Sequence, residues 1–216
     1  DLIMLDLNLP DIDGLALVRE IRPMLRGAVP LVATVHDLFP LSRPEWFTRR
    51  GVRLMAPALM RIRDRADAVV VPSRSVADDC LAHGFDPDRL HVVPWGSRPV
   101  RLPTDGAESV RRRHGLVGPY VLFVGRITRQ KGLYYLLQAI PHIDPNLQVV
   151  LCAGDADTLA MQREIEEIVR ELQAQRPGIV WIPKMLARQD TIALYSHATV
   201  FCCPSIYEPF GIINLE

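Results

Sequence analysis

Two short stretches of this chain gather side chains able to hold an anion and to read hydroxyl groups. In the first, an apolar run YVLFV is followed by Gly125-Arg126, and Lys131-Gly132 stands five residues further on. An Arg and a Lys at that spacing, on a loop that leaves a strand and opens a helix, can converge on one pyrophosphate. The Arg does so as a planar fork and the Lys as a compact charge. A glycine beside them lets the backbone come close, and the amides of the following helix favour the same anion. The second stretch is Pro204-Ser205 followed by EPFGIINLE, in which Glu208 and Glu216 are separated by seven residues. Pro209 and Gly211 force a turn into a helix whose first amides, Gly211 to Leu215 with Ile212 and Asn214 among them, point toward an anion. The two acids then reach different hydroxylated parts of one ligand. A pyrophosphate clamp flanked by two hydroxyl-reading acids describes a site for a nucleotide sugar.

Such a site needs a scaffold that brings distant loops to one edge. The pattern along the chain supplies it, since short apolar runs alternate with amphipathic stretches, as in a parallel sheet covered by helices. Strands are expected at residues 2–7, 30–35, 68–71, 90–93, 120–124, 148–153, 179–182 and 199–203. Each is apolar on both faces, as buried parallel strands are. Helices are expected over 15–25, 49–66, 73–83 and 159–175, the third with Ser73 as its cap and Gly84 as its stop. In doubly wound sheets ligands bind outside the carboxyl ends of the strands, which is where both stretches fall.

The segment 96–118 breaks this rhythm with Gly96, Pro99, Pro103, Gly106, Gly115 and Gly118, and it reads as a linker that could hold a short helix. The expected organisation is therefore α/β with two doubly wound modules of Rossmann type. They are an N-terminal one over 1–95, which starts part-way through its fold, and a C-terminal one over 119–216.

Composition narrows the function classes. The 216 residues carry 25 Lys plus Arg and 25 Asp plus Glu, so the zero formal charge gives no pull toward nucleic acid or anionic membranes. With 49% apolar and 23% charged residues the chain has the make-up of a globular protein. No run reaches the length of a membrane span and no secretory leader is visible. The four cysteines show no CxxC spacing and read as cytosolic thiols, without a metal site or a disulfide framework.

FVGRITRQKG and PSIYEPFGIINLE resemble the donor-binding motifs of family 4 retaining glycosyltransferases of the GT-B fold. The stretch 120–216, including LCAGDADT and HATVFCCPS, is similar to the C-terminal domain of bacterial glycogen synthases. The resemblance implies Arg126 and Lys131 on the donor diphosphate, Glu208 on the transferred sugar, the Gly211 to Leu215 backbone on phosphate, and Glu216 on the nucleotide ribose. It implies a donor such as ADP-glucose or UDP-glucose, a glucan or another hydroxyl acceptor, no cofactor or metal, and a cytoplasmic enzyme of glycogen biosynthesis type. PLVATVHDLFP and ADAVVVPSRSVADDCLAHGFDPDRLHVVPWG resemble the later part of the N-terminal domain of the same family. There a strand ends in a His facing the cleft, here His36, able to hydrogen-bond a sugar hydroxyl near the reacting carbon. The turn PWGSRP departs from the family's more usual Asn-Gly-acidic ending.

DLIMLDLNLPDIDGLALVREIR looks like something else, the receiver segment of bacterial response regulators. Asp6 stands there at the phosphoacceptor position, without the upstream acidic pair that would hold Mg2+. This resemblance implies the alternative function, a phosphorelay or signalling module.

Overall fold

Where both faces of a strand are apolar, helices must cover both, and the second half of the chain is built that way. The computed structural model of the chain describes residues 30–96 and 107–214. Contacts divide the chain into two compact units between Trp95 and Gly96.

In the first unit, β1 (Val32–Thr34), β2 (Ala68–Val71) and β3 (Leu90–Val92) form a parallel sheet in sequential order. A short helical turn α1 (Phe39–Ser42) follows β1. Helix α2 (Arg49–Arg65) is started by Thr48, whose side chain accepts from the Gly51 amide. Helix α3 (Arg74–Ala82) is started by Ser73, which accepts from the Val76 amide. Gly84 ends it with φ 79°, the left-handed conformation expected of that glycine. Leu59 and Ile62 of α2, with Val76 and Cys80 of α3, bury Val69 and Val71 of β2. Pro57 lies inside α2, on its exposed side, where water can serve the carbonyl that a proline leaves without a donor.

The second unit contains α4 (Ala107–Arg113), β4 (Tyr120–Arg126), α5 (Leu133–Ala139), β5 (Gln148–Gly154), α6 (Leu159–Gln175), β6 (Ile179–Ile182), α7 (Arg188–His197) and β7 (Val200–Phe201). Its sheet is parallel with order β6-β5-β4-β7. Side chains alternate across it. Phe123, Val149 and Leu151 face α5 and α6 through Leu133, Leu137, Ile165 and Val169. Tyr120, Leu122, Val150 and Cys152 face α4 and α7 through Val110, Ala193 and Leu194. The sheet is therefore doubly wound.

The segment expected to be a linker is partly structural. Residues 107–116 belong to the second core, with Val110 and Leu116 only 3% and 4% exposed. Two apolar side chains among arginines and glycines are a weak signal, yet they are enough to seat α4 on the sheet. Helix α7 was not anticipated, because RQDTIALYSH buries only Ala193 and Leu194 and has no side-chain cap. Strand β4 runs two residues past its expected end, since pairing with β5 continues through Gly125 to Ala153 and Arg126 to Gly154. Strand β7 is shorter than expected. The expected strand at 2–7, the helix at 15–25 and Asp6 lie outside the described residues. Among the described residues no helix is long and apolar enough to cross a membrane.

Candidate functional site

Strands β4, β5 and β6 step across the second sheet in one direction, and β7 returns to the other side of β4. The reversal places a topological switch point between the carboxyl ends of β4 and β7, the position where open α/β sheets form their ligand crevice. The two motifs leave the sheet there, GRITRQKG after β4 and PSIYEPFG after β7.

The exit loops are tied together through their backbones. The Ile206 amide donates to the Gln130 carbonyl at 2.9 Å, and Gln130 Nε2 donates to the Tyr207 carbonyl at 3.1 Å. Gly132, at φ 65°, starts α5 directly against the Pro204 carbonyl. This docking brings Lys131 Nζ to 2.6 Å from Glu208 Oε1, with both side chains largely shielded from solvent. The same carboxylate oxygen accepts from Ser205 Oγ at 2.6 Å. Gly125 is packed by the Phe123 ring and the Lys131 stem, which would lie 3.2 and 3.7 Å from an added Cβ.

Arg126 is the last residue of β4, two positions past the strand end that the sequence pattern suggests. Its Nη2 donates to Asp157 Oδ1 at 2.9 Å, and its side chain is 62% exposed. One of its five donors is thus engaged and the rest of the fork faces solvent. Asp157 belongs to the loop after β5, which carries two tight features. Gly154 stands where a Cβ would lie 3.0 Å from the Pro183 carbonyl oxygen. Asp155 adopts φ 50°, a left-handed backbone unusual for a residue with a side chain. Burial raises the Asp157 carboxyl above the ordinary range while the Arg126 charge pulls it back.

The turn after Glu208 is a single 3-10 turn, Ile212–Asn214, rather than the opening of an α-helix over the described residues. Gly211 enters it at φ 75°, and the Asn214 amide donates to the Gly211 carbonyl at 2.9 Å, so that amide is already engaged. Leu215 and Glu216 lie outside the described residues.

In the first unit, His36 follows β1 on the surface, its ring edge-on to Trp95 at 4.9 Å between centroids. Beside it, Asp37 Oδ1 accepts from the Phe39 amide at 3.0 Å. The Asp37 carboxyl is raised chiefly by burial, against the lowering effects of that amide and of His36. Arg126, Lys131, Glu208 and Gly211 therefore gather at one sheet edge, and His36 stands at the corresponding edge of its own unit. Sequence reasoning overlooked Ser205, Asp157, Gln130 and Asp37. Ser205 lies three residues before Glu208 in the quoted motif, and Asp157 lies in GDADT, so spacing alone could have drawn attention to both.

Comparison with known proteins bears on the family and the fold. Residues 6–99 match the model of Glycosyltransferase Family 4, and residues 118–216 match that of Glycosyl transferases group 1. The first match begins inside the receiver-like stretch and takes in all of it after residue 5. The chain is 41% identical over 198 residues to alpha-maltose-1-phosphate synthase of Mycolicibacterium smegmatis, covering 87% of this chain and 51% of that protein. It is 31% identical over 204 residues to D-inositol 3-phosphate glycosyltransferase of Xylanimonas cellulosilytica, covering 88% and 48%. The chain spans about half the length of these curated relatives. Among solved structures, Anabaena HepE in complex with UDP and glucose superposes with a TM-score of 0.69 at 19% identity, over 85% of this chain and 49% of that one. Sucrose-phosphate synthase from Thermosynechococcus elongatus superposes with a TM-score of 0.67 at 23% identity, over 93% and 50%. The chain belongs to the family 4 glycosyltransferases of the GT-B fold.

Proposed function

We propose that the protein transfers a hexosyl group, glucose, from a nucleoside-diphosphate sugar to the hydroxyl of a small phosphorylated acceptor, with retention at the anomeric carbon. The observation that carries this reading is the Lys131–Glu208 pair at the β4/β7 switch point, with the largely exposed side chain of Arg126 at the carboxyl end of the same strand β4. In the proposed complex Arg126 and Lys131 bind the diphosphate and offset the charge that develops as it leaves. Preorganised cations do this best because they need no reorganisation during the reaction. Glu208 contacts the transferred sugar, and the backbone from Gly211 through Ile212 and Asn214 to Leu215 lies along the phosphates. Glu216 takes the ribose, and His36 hydrogen-bonds a sugar hydroxyl near the reacting carbon. Two cationic side chains supply the charge that a metal ion supplies elsewhere, so the donor, ADP-glucose or UDP-glucose, is proposed to bind without metal or cofactor.

The acceptor class departs from the glucan that the glycogen synthase resemblance implies. One relative is named for making maltose 1-phosphate and another for glycosylating inositol 3-phosphate, and both names carry a phosphate on the product or acceptor. The four free cysteines favour a reducing compartment, the cytoplasm, as the place of work.

The test is transfer from ADP-glucose and from UDP-glucose, in the presence of EDTA, to glucose 1-phosphate, inositol 3-phosphate and glycogen, with the product anomer read by NMR. An α-linked phosphorylated product supports the proposal. Transfer to glycogen alone restores the glucan reading. A β-linked product overturns retention, and binding of neither donor nucleotide overturns the site.

A further inference from the structure

We infer that Ser205 is a positioning residue for donor recognition, setting the carboxylate of Glu208 so that one oxygen is left to the sugar. This inference rests on the proposed role of Glu208 and assigns the group that orients it. Glu208 is the meeting point of a short chain of polar side chains. Its Oε1 accepts both from Lys131 Nζ and from Ser205 Oγ, each at 2.6 Å. Cys203 Sγ lies 3.6 Å from the same hydroxyl. Both short bonds fall on one oxygen, so Oε2 makes no hydrogen bond to protein among the described residues.

A lysine alone would not fix the carboxylate, because an ammonium group is a nearly spherical charge on a flexible stem and either carboxylate oxygen satisfies it. A hydroxyl three residues away on the same turn is directional. Its short bond to Oε1 fixes the rotation of the carboxylate plane. The platform beneath Ser205 is itself held by the backbone bond from Ile206 to Gln130, so the hydroxyl cannot drift with the loop. The arrangement separates two tasks that share one ion pair. Lys131 can turn toward a diphosphate while Ser205 keeps Glu208 in place for the sugar.

That separation has a binding signature that needs no turnover. The affinity of the parent chain for a nucleoside diphosphate and for the matching nucleoside-diphosphate glucose is measured by calorimetry, with UDP and UDP-glucose and with ADP and ADP-glucose. The pair bound more tightly is then followed in the variants. Ser205→Ala is expected to bind the diphosphate within about twofold of the parent and the sugar nucleotide about three- to tenfold more weakly, the loss typical of one hydrogen bond. Ser205→Thr, which keeps the hydroxyl, is expected to restore the sugar nucleotide. Glu208→Gln should lose the same preference for the sugar nucleotide, while Lys131→Ala should weaken both ligands together.

Equal weakening of both ligands in Ser205→Ala would place Ser205 in the phosphate site or the fold and overturn the inference, as would unchanged binding of both or a threonine variant that fails to restore. If Glu208→Gln binds both ligands as the parent does, the role of Glu208 itself is wrong. A parent chain that binds none of the four ligands removes the site reading, and this inference with it.

Discussion

The left-handed backbone of Gly132 lies directly under the carbonyl oxygen of Pro204, so close that a Cβ at Gly132 would overlap it. That contact is where the exit loop of β7 rests on the start of α5, and it sets how near Glu208 comes to Lys131. Gly132→Ala therefore carries both a left-handed backbone penalty and a steric overlap with rigid main chain, together about 2 to 5 kcal/mol of lost stability. Gly118→Ala is the control, since a Cβ there meets nothing within 4 Å. Urea midpoints of the two variants test the expectation. Equal midpoints would show that the loops are not locked at this point.

The proposed clamp makes a separate prediction about binding. With Arg126 and Lys131 on the diphosphate as proposed, Arg126→Ala or Lys131→Ala loses one charge-assisted contact to phosphate, at a cost of about 1.5 to 3 kcal/mol, on the order of tenfold to a hundredfold in nucleotide affinity. Because Lys131 also neutralises Glu208 across 2.6 Å, its removal leaves a half-buried carboxylate facing the incoming diphosphate. Lys131→Ala should accordingly weaken UDP or ADP more than Arg126→Ala does, and Glu208→Gln added to Lys131→Ala should recover part of the loss. Calorimetry on the double variant decides it, and a fully additive result would contradict the coupling.

Much of this was legible in the sequence, for identifiable reasons. Strands such as Ile179–Ile182 and Ala68–Val71 are legible to their ends because each apolar run is closed by strand breakers, Gly178 and Pro183 in one case and Asp67 and Pro72 in the other. Helix Leu159–Gln175 is legible whole because its charges keep to one side, and the structure adds Thr158 as its cap. Other features depend on tertiary contacts that no local pattern encodes. Arg126 turned out to be strand rather than loop because of its pairing with Gly154 across the sheet. Helix α4 exists by virtue of Val110 reaching a core shared with Leu194, far along the chain. At the site, the residue types and their loops were visible, whereas the Ser205 bond and the Asp157 partner of Arg126 required the fold.

Arg176 offers a test that separates fold from site. Its Nη1 donates to the carbonyls of Ile140 and Ile143 at 2.8 and 2.7 Å, and its Nη2 to those of Asp144 and Leu147 at 2.7 and 2.6 Å. One guanidinium thus gathers the carbonyls of the connection between α5 and β5, at the amino end of the sheet and away from the switch point. Lysine lacks the planar fork, so Arg176→Lys should lower stability by about 2 to 4 kcal/mol, close to the effect of Arg176→Ala. Nucleotide affinity of the folded variant should stay within about twofold of the parent. Lost affinity at unchanged stability would mean that this connection communicates with the site.

Tyr120 provides the pH test. Its ring is fully buried at the start of β4, and its hydroxyl donates to the Leu194 carbonyl at 2.6 Å, in the last turn of α7 where helix carbonyls lack helical partners. Burial pushes the phenol from 10.0 to about 12. The folded state therefore holds this proton more tightly than the unfolded chain does, and its contribution is complete below pH 10 and is lost as pH rises from 10 toward 12. Cys152, raised by burial from 9.0 to about 12, adds a second decline that begins nearer pH 9. Tyr120→Phe leaves the Leu194 carbonyl without its donor and should cost about 1 to 3 kcal/mol at neutral pH. The variant has no phenol to ionise, so the stability gap between parent and variant should stay constant up to about pH 9.5 and close progressively between pH 10 and 12. Urea midpoints across that range give the gap directly. A gap that persists unchanged at pH 12 would show that the phenol does not ionise on unfolding in that window, and a gap that widens would reverse the sign argued here.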